Sequence, residues 1–164
     1  MAAKKTTKKV AKKVAKKVAK KTTKKVAKKA APIRATAREE LHLLTELPTD
    51  PRRVIADWLD SEAHTAFTGA EASIDPVVGG KHSAWSGYSE GTLLVIEPQR
   101  LVMSWRTAEF APTDPDSQVE VRTSKSRIGT CLELIHTDLP EGGAEKYSAG
   151  WRDFYFVPMA ARYR

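Results

Sequence analysis

Gly91-Thr92-Leu93-Leu94-Val95-Ile96-Glu97-Pro98-Gln99-Arg100-Leu101-Val102-Met103-Ser104-Trp105-Arg106 reads as two strands joined by a tight turn. The apolar run 91–97 stops at Glu97-Pro98, and a second run begins at Arg100 with a period of two. Leu101, Met103 and Trp105 share one face of it, and Val102, Ser104 and Arg106 the other. So short a connection makes the pair antiparallel. Similar punctuation recurs on both sides, at Asp75-Pro76, Gly79-Gly80, Ser86-Gly87 and the Thr113–Ser117 cluster. The pattern predicts an antiparallel meander with strands at 71–75, 80–85, 91–97, 100–107, 117–125 and 128–137. In the last of these, Ile128, Thr130, Leu132, Leu134 and His136 are expected on one face.

Outside the meander, residues 38–47 alternate well enough for a further strand, which Pro48 and Asp50-Pro51 terminate. Asp50 is placed to cap a helix with Pro51 at its first position, with Val54, Ile55 and Trp58 on one face. Asp60 or Ser61 starts a second short helix ending near Phe67 and Gly69. After Pro140, Tyr147, Trp151, Phe154, Tyr155 and Val157 recur at helical spacing. A long C-terminal helix with an aromatic face is expected, kinked or broken at Pro158. The fold class is therefore α+β: a curved antiparallel sheet wrapped around one long closing helix, a helix-grip arrangement.

The first 31 residues differ in kind. They hold fourteen lysines and no acidic residue: Lys4, Lys5, Lys8, Lys9, Lys12, Lys13, Lys16, Lys17, Lys20, Lys21, Lys24, Lys25, Lys28 and Lys29. Removing those fourteen from the 28 Lys+Arg leaves 14 basic against all 20 acidic residues, so residues 32–164 carry a net charge of −6. The Lys-Lys-Val-Ala and Lys-Lys-Thr-Thr repeats of 1–31 bury too little to offset chain entropy, so this tail is expected to be disordered in solution. A helix becomes available when phosphate relieves the repulsion between lysines at i and i+4. With no Arg fork and no aromatic ring, the tail suits nonspecific binding to DNA or another polyanion and not base reading. Its composition resembles the lysine- and alanine-rich tails of linker histones and extended bacterial histone-like proteins. The expected organisation is a tail at 1–31, a linker at 32–37 and one folded domain at 38–164, of about 130 residues and large enough for one core.

Composition also excludes several classes. The single Cys131 allows no internal disulfide, no zinc-ligand spacing appears, and no cofactor or metal is expected. No apolar run approaches the roughly 20 residues of a membrane span, and no secretory h-region precedes the domain. A reducing cytoplasm is the expected location, with the tail directing the chain to the nucleoid.

Several motifs agree in order with a known family. Ala66-Phe67-Thr68-Gly69-Ala70, Gly79-Gly80-Lys81, Glu97 to Arg106, Gly129-Thr130 through His136, and Gly150-Trp151 with Tyr155-Phe156 resemble the activator of Hsp-90 ATPase homologue family, within the SRPBCC (START and Bet v) superfamily. The resemblance runs over roughly 38–164 and does not include the lysine tail. It implies a sheet wrapped around the C-terminal helix with an apolar cavity between them. In the eukaryotic relatives it also implies binding to the Hsp-90 chaperone and stimulation of its ATPase. There, chaperone activation relies on a separate N-terminal domain as well, and here the tail stands in that place.

Phe67, His82, Trp85, Met103, Trp105, Trp151 and Phe154 are the candidate residues for that cavity or for the core, with Tyr88 beside them. His82 stands where relatives commonly carry Phe after Gly-Gly-Lys; pointing inward, it would add one titratable group to an apolar site. His136 is expected to close a hydrogen-bond network, His42 and His64 to sit at exposed or edge positions, and Cys131 to face outward. No nucleophile elbow, phosphate-binding glycine loop or paired carboxylate motif appears, so no catalytic residue is assigned. A buried His paired with Asp153 or Glu109 would favour a cyclase- or hydrolase-like enzyme instead. The expectation is a non-enzymatic domain that binds a small apolar ligand or a protein partner, tethered by its tail to a polyanion. A cochaperone-like module is the alternative within the family.

Overall fold

A computed structural model describes residues 37–164 of the chain. The tail and its lysines lie outside the described residues. The elements run β1 (Glu39–Leu47), α1 (Pro51–Leu59), α2 (Ser61–Thr68), β2 (Ser73–Ile74), β3 (Lys81–Ala84), β4 (Ser89–Glu97), β5 (Arg100–Thr107), β6 (Ser117–Lys125), β7 (Thr130–Leu139), α3 (Gly143–Trp151), a π-helical segment (Arg152–Phe156) and α4 (Val157–Arg162). All seven strands form one antiparallel sheet in the order β1-β7-β6-β5-β4-β3-β2. The first strand thus pairs with the last, and the chain between them is a meander. This is the helix-grip architecture.

Local chemistry explains the elements. Asp50 accepts a hydrogen bond from Arg52 N (2.9 Å) with Pro51 beginning α1, and Asp60 accepts from Ala63 N (2.7 Å) to start α2. The faces of β5 fall as the period of two requires, with Leu101, Met103 and Trp105 buried against the helices. Leu132 and Leu134 of β7 and Val119 and Val121 of β6 extend that inner face, all fully enclosed. On the outer face a chain of ion pairs crosses the strands: Glu133 meets His42 (2.6 Å) and Arg122 (3.5 Å), and Glu120 meets Arg122 (2.8 Å) and Arg100 (2.6 Å). Such exposed pairs contribute little each.

Three expectations need correction. The strand at 71–75 shrinks to Ser73–Ile74. The strand at 128–137 runs instead over Thr130–Leu139, which leaves Ile128 in the turn before it, half exposed. The C-terminal helix does not break at Pro158 but continues to Arg162. Val157 N donates to Arg152 O, a bond to the fifth preceding residue, so the backbone widens to a π-helical turn just where the proline ring would meet the carbonyl four residues back.

Candidate functional site

The space between the sheet and the C-terminal helix is filled with rings. Trp58 of α1 stacks on Tyr155 (centroids 5.2 Å), Tyr155 meets Trp151 (4.6 Å), and Trp151 leads to Trp105 (5.8 Å) and its edge-on neighbours Tyr147 and His136. Phe67 packs against His64 (4.7 Å) at the other end of the stack. Burying so many large side chains together is the strongest single contribution to the core, and edge-to-face contacts add to it.

Two buried histidines organise polar chains through these rings. Trp151 donates its indole N–H to His136 Nδ1 (3.1 Å), so the ring proton of His136 must be on Nε2, which donates to Ser117 Oγ (2.8 Å). Ser117 in turn donates to Trp105 O (2.6 Å). Every polar atom of the chain is used, and the imidazole is held neutral. Burial pushes the His136 pKa down to about 3, and a proton on Nδ1 would also face the Trp151 donor. Replacing His136 by Ala is expected to cost about 3 kcal/mol, since it opens a void and strips the Trp151 N–H and Ser117 of a partner. Urea unfolding of the variant measures it.

The second chain runs through His64. Trp58 O accepts from His64 Nδ1–H (2.9 Å), which leaves Nε2 to accept from the Tyr155 hydroxyl (3.4 Å), and that hydroxyl accepts from Trp85 Nε1–H (3.3 Å). Burial pushes His64 down to about 4 and raises the Tyr155 phenol. His64 therefore departs from its expected exposed or edge position, being 3% exposed. It is carried inward because it precedes Phe67 by three on α2 and shares its face.

His82 points inward and donates from Nε2 to Ser104 O (2.9 Å). Its pKa is lowered, mainly by burial. The ring crosses Gly91 of β4, where the β4–β5 ladder is open: Thr92 N bonds to Ser104 Oγ (3.0 Å), and His82 supplies the donor that Ser104 O lacks. His64 and His82 flank a small void between sheet and helices, bounded also by Trp58, Ile74, Leu93 and Met103. Its volume is about 10 Å³, near the minimum that holds one water.

Of the candidate cavity residues, His82 and Met103 border this void, while Phe67, Trp105 and Trp151 are buried in the ring stack. Trp85 is partly buried at the rim. Phe154 does not belong with them. It is 55% exposed and leans on Trp85 (5.3 Å), because Tyr155, one residue on, takes the inward position of the helix. Tyr88 is also partly exposed. No carboxylate bonds to His64, His82 or His136: Glu109 pairs with Lys146, and Asp153 lies exposed. Among the described residues no group of three or more His, Cys, Asp or Glu side chains is arranged to hold a metal, and no helix is long and apolar enough to cross a membrane. Sequence reasoning missed His64 and Gly91. An isolated glycine inside a strand run is a signal for close approach, which Gly91 carried.

A family model described as "Activator of Hsp90 ATPase homolog 1-like protein" matches residues 48–161. A curated relative from Dictyostelium discoideum, "Activator of 90 kDa heat shock protein ATPase homolog", is 25% identical over 123 residues. The match covers 74% of this chain, which spans about a third (32%) of the relative's own length. Among solved structures, an HSP90 activator from Plasmodium falciparum superposes with a TM-score of 0.69 at 25% identity, covering 74% of this chain and 94% of that one. CalU16 from Micromonospora echinospora gives 0.62 at 26% identity, covering 79% and 82%.

Proposed function

Because the chain belongs to the activator of Hsp90 ATPase homolog 1-like family, we propose that residues 38–164 are a non-enzymatic domain that binds a protein partner, a chaperone of the Hsp90 type, and that residues 1–31 tether it to DNA or another polyanion. The observation that carries the partner reading is the filled interior. A void of about 10 Å³ is far below the roughly 300 Å³ at which small-molecule pockets begin. So small a void favours recognition at the surface over an enclosed apolar ligand. The family description and the Plasmodium falciparum relative name the kind of partner. Titrating a purified Hsp90-type chaperone with the full chain, and following both binding and ATP hydrolysis, tests this part. Absence of binding would end it, and binding without stimulated hydrolysis would restrict the role to docking.

What supports the tether is the charge separation in the sequence. Fourteen lysines precede a body of net charge −6, so the chain's excess positive charge lies in the tail. If six to eight lysines meet phosphate at once, the slope of log K against log salt for random-sequence duplex DNA is expected at roughly −5 to −7. Residues 32–164 alone are expected not to bind. Equal affinity of the truncated and full chains in a salt series would contradict the tether.

A further inference from the structure

The hairpin turn between β6 and β7 is pressed onto the segment that leads into α1. Ser126 N donates to Gly129 O (3.0 Å), so Arg127 and Ile128 form the tip of the turn. Behind it, Thr130 Oγ1 donates to Thr49 O (2.7 Å) and Thr123 Oγ1 to Pro51 O (3.1 Å). Gly129 permits the close approach, since an added Cβ would lie 2.6 Å from Leu47 O and 2.8 Å from Thr49 O. These contacts bring Lys125, the last residue of β6, and Arg127 to the same end of the domain as Arg52 in the first turn of α1. All three residues are exposed.

Their charges are unmatched. Elsewhere Arg100 and Arg122 meet Glu120, Arg106 meets Asp116, and Arg53 and Arg162 meet Asp57. Among the described residues, no carboxylate lies within 4.0 Å of the charged groups of Arg52, Lys125 or Arg127. Asp50, at the start of α1, is occupied in accepting from Arg52 N (2.9 Å), and Glu97 of the adjoining β4–β5 turn pairs with Arg100 (3.9 Å). A body of net charge −6 thus gathers three free cations, from two separate segments, at one end.

We propose that Arg52, Lys125 and Arg127 are a second phosphate contact, on the folded domain itself, that engages the backbone of the duplex DNA held by the lysine tail. The inference rests on the tether reading and deepens it. Phosphate contacts fix the register and orientation of a protein on a duplex without reading its sequence. The tail supplies attachment, and the three cations set which end of the domain faces the DNA. Three contacts are too few to hold the acidic body on DNA alone, in keeping with the expectation that residues 32–164 do not bind by themselves. Once the tail is bound, the second contact becomes intramolecular, and its effective concentration compensates for its weakness.

The test measures binding of the full chain to random-sequence duplex DNA across a salt series, for two double variants that remove the same charge. One is Lys125→Gln/Arg127→Gln. The other is Lys81→Gln/Arg152→Gln, at exposed cations of β3 and the π-helical segment that also lack a carboxylate within 4.0 Å among the described residues. An unchanged urea midpoint verifies that each variant folds. The first is expected to flatten the slope of log K against log salt by about 2 and to weaken binding roughly tenfold at about physiological salt. Adding Arg52→Gln flattens it by about one more. The second double variant is expected to keep the slope of the unaltered chain. Equal slopes for the two double variants overturn the patch and leave the tether standing. Failure of the unaltered full chain to bind DNA overturns the tether and the patch with it.

Discussion

Lowering the pH from 6.5 to 4.5 is expected to remove on the order of 4 kcal/mol of the domain's stability. The cause is the pair of buried neutral histidines. His64 and His136 have pKa values pushed down to about 4 and about 3, against 6.5 for the ordinary side chain. Below 6.5 the unfolded chain takes up a proton at each and the folded chain does not, so acid favours unfolding. Their contribution is complete above 6.5 and is lost as the pH falls toward the folded values. The slope approaches about 1.4 kcal/mol per pH unit for each histidine. His82, also lowered, acts in the same direction. Glu39 and Glu120, whose pKa values are lowered by hydrogen bonds from Gly142 and Ala144 and from two arginines, join only below about 4.5. Urea unfolding at half-unit pH steps reads the slope. His64→Gln and His136→Gln should each reduce it by about one proton, and a flat profile from 6.5 to 4.5 would contradict the assignment of neutral buried imidazoles.

Gly91→Ala is expected to destabilise the fold by about 3 kcal/mol or to prevent folding. The reason is steric, since Gly91 is not among the residues with left-handed backbone. An added Cβ would overlap Ser104 O and lie 2.5 Å from His82 Nε2. Displacing the ring would strand the Ser104 carbonyl without clearing it from the new Cβ, so β4 must also move off β5. His82→Phe separates these effects. It keeps a ring over Gly91 and removes only the donor, so it should cost about 1–2 kcal/mol. If Gly91→Ala were as stable as the unaltered chain, the packing of His82 across the open ladder would be wrong.

The parts of the fold set by local rules were legible. Alternation in Arg100–Arg106 located the inner face, and Asp50, Pro51 and Asp60 located the helix starts, because period and capping act within a few residues. The histidines were harder. His136 sits in a strand of alternating burial, and its network was anticipated, but its partners Ser117 and Trp151 come from distant segments. His64 looked like a surface residue because α2 is short and mixed, and only the tertiary placement of Trp58 and Tyr155 makes its position internal. Phe154 was misplaced because two adjacent aromatics, Phe154 and Tyr155, fit a helical face equally well in sequence; one points in and the other out. Whether sheet and helix enclose a cavity depends on how completely side chains fill the space, and no periodicity encodes that volume. The π-helical turn before Pro158 is likewise a compromise between a missing donor and continuous packing, visible only in three dimensions.

The division of labour between tail and domain is tested most directly by retention of a purified Hsp90-type chaperone on immobilised random-sequence duplex DNA at about physiological salt. The expected result is that the full chain holds the chaperone on the DNA and that residues 32–164 leave it in the flow-through. The account would be contradicted if the full chain bound the DNA while the chaperone still passed through, or if the truncated chain retained it equally well.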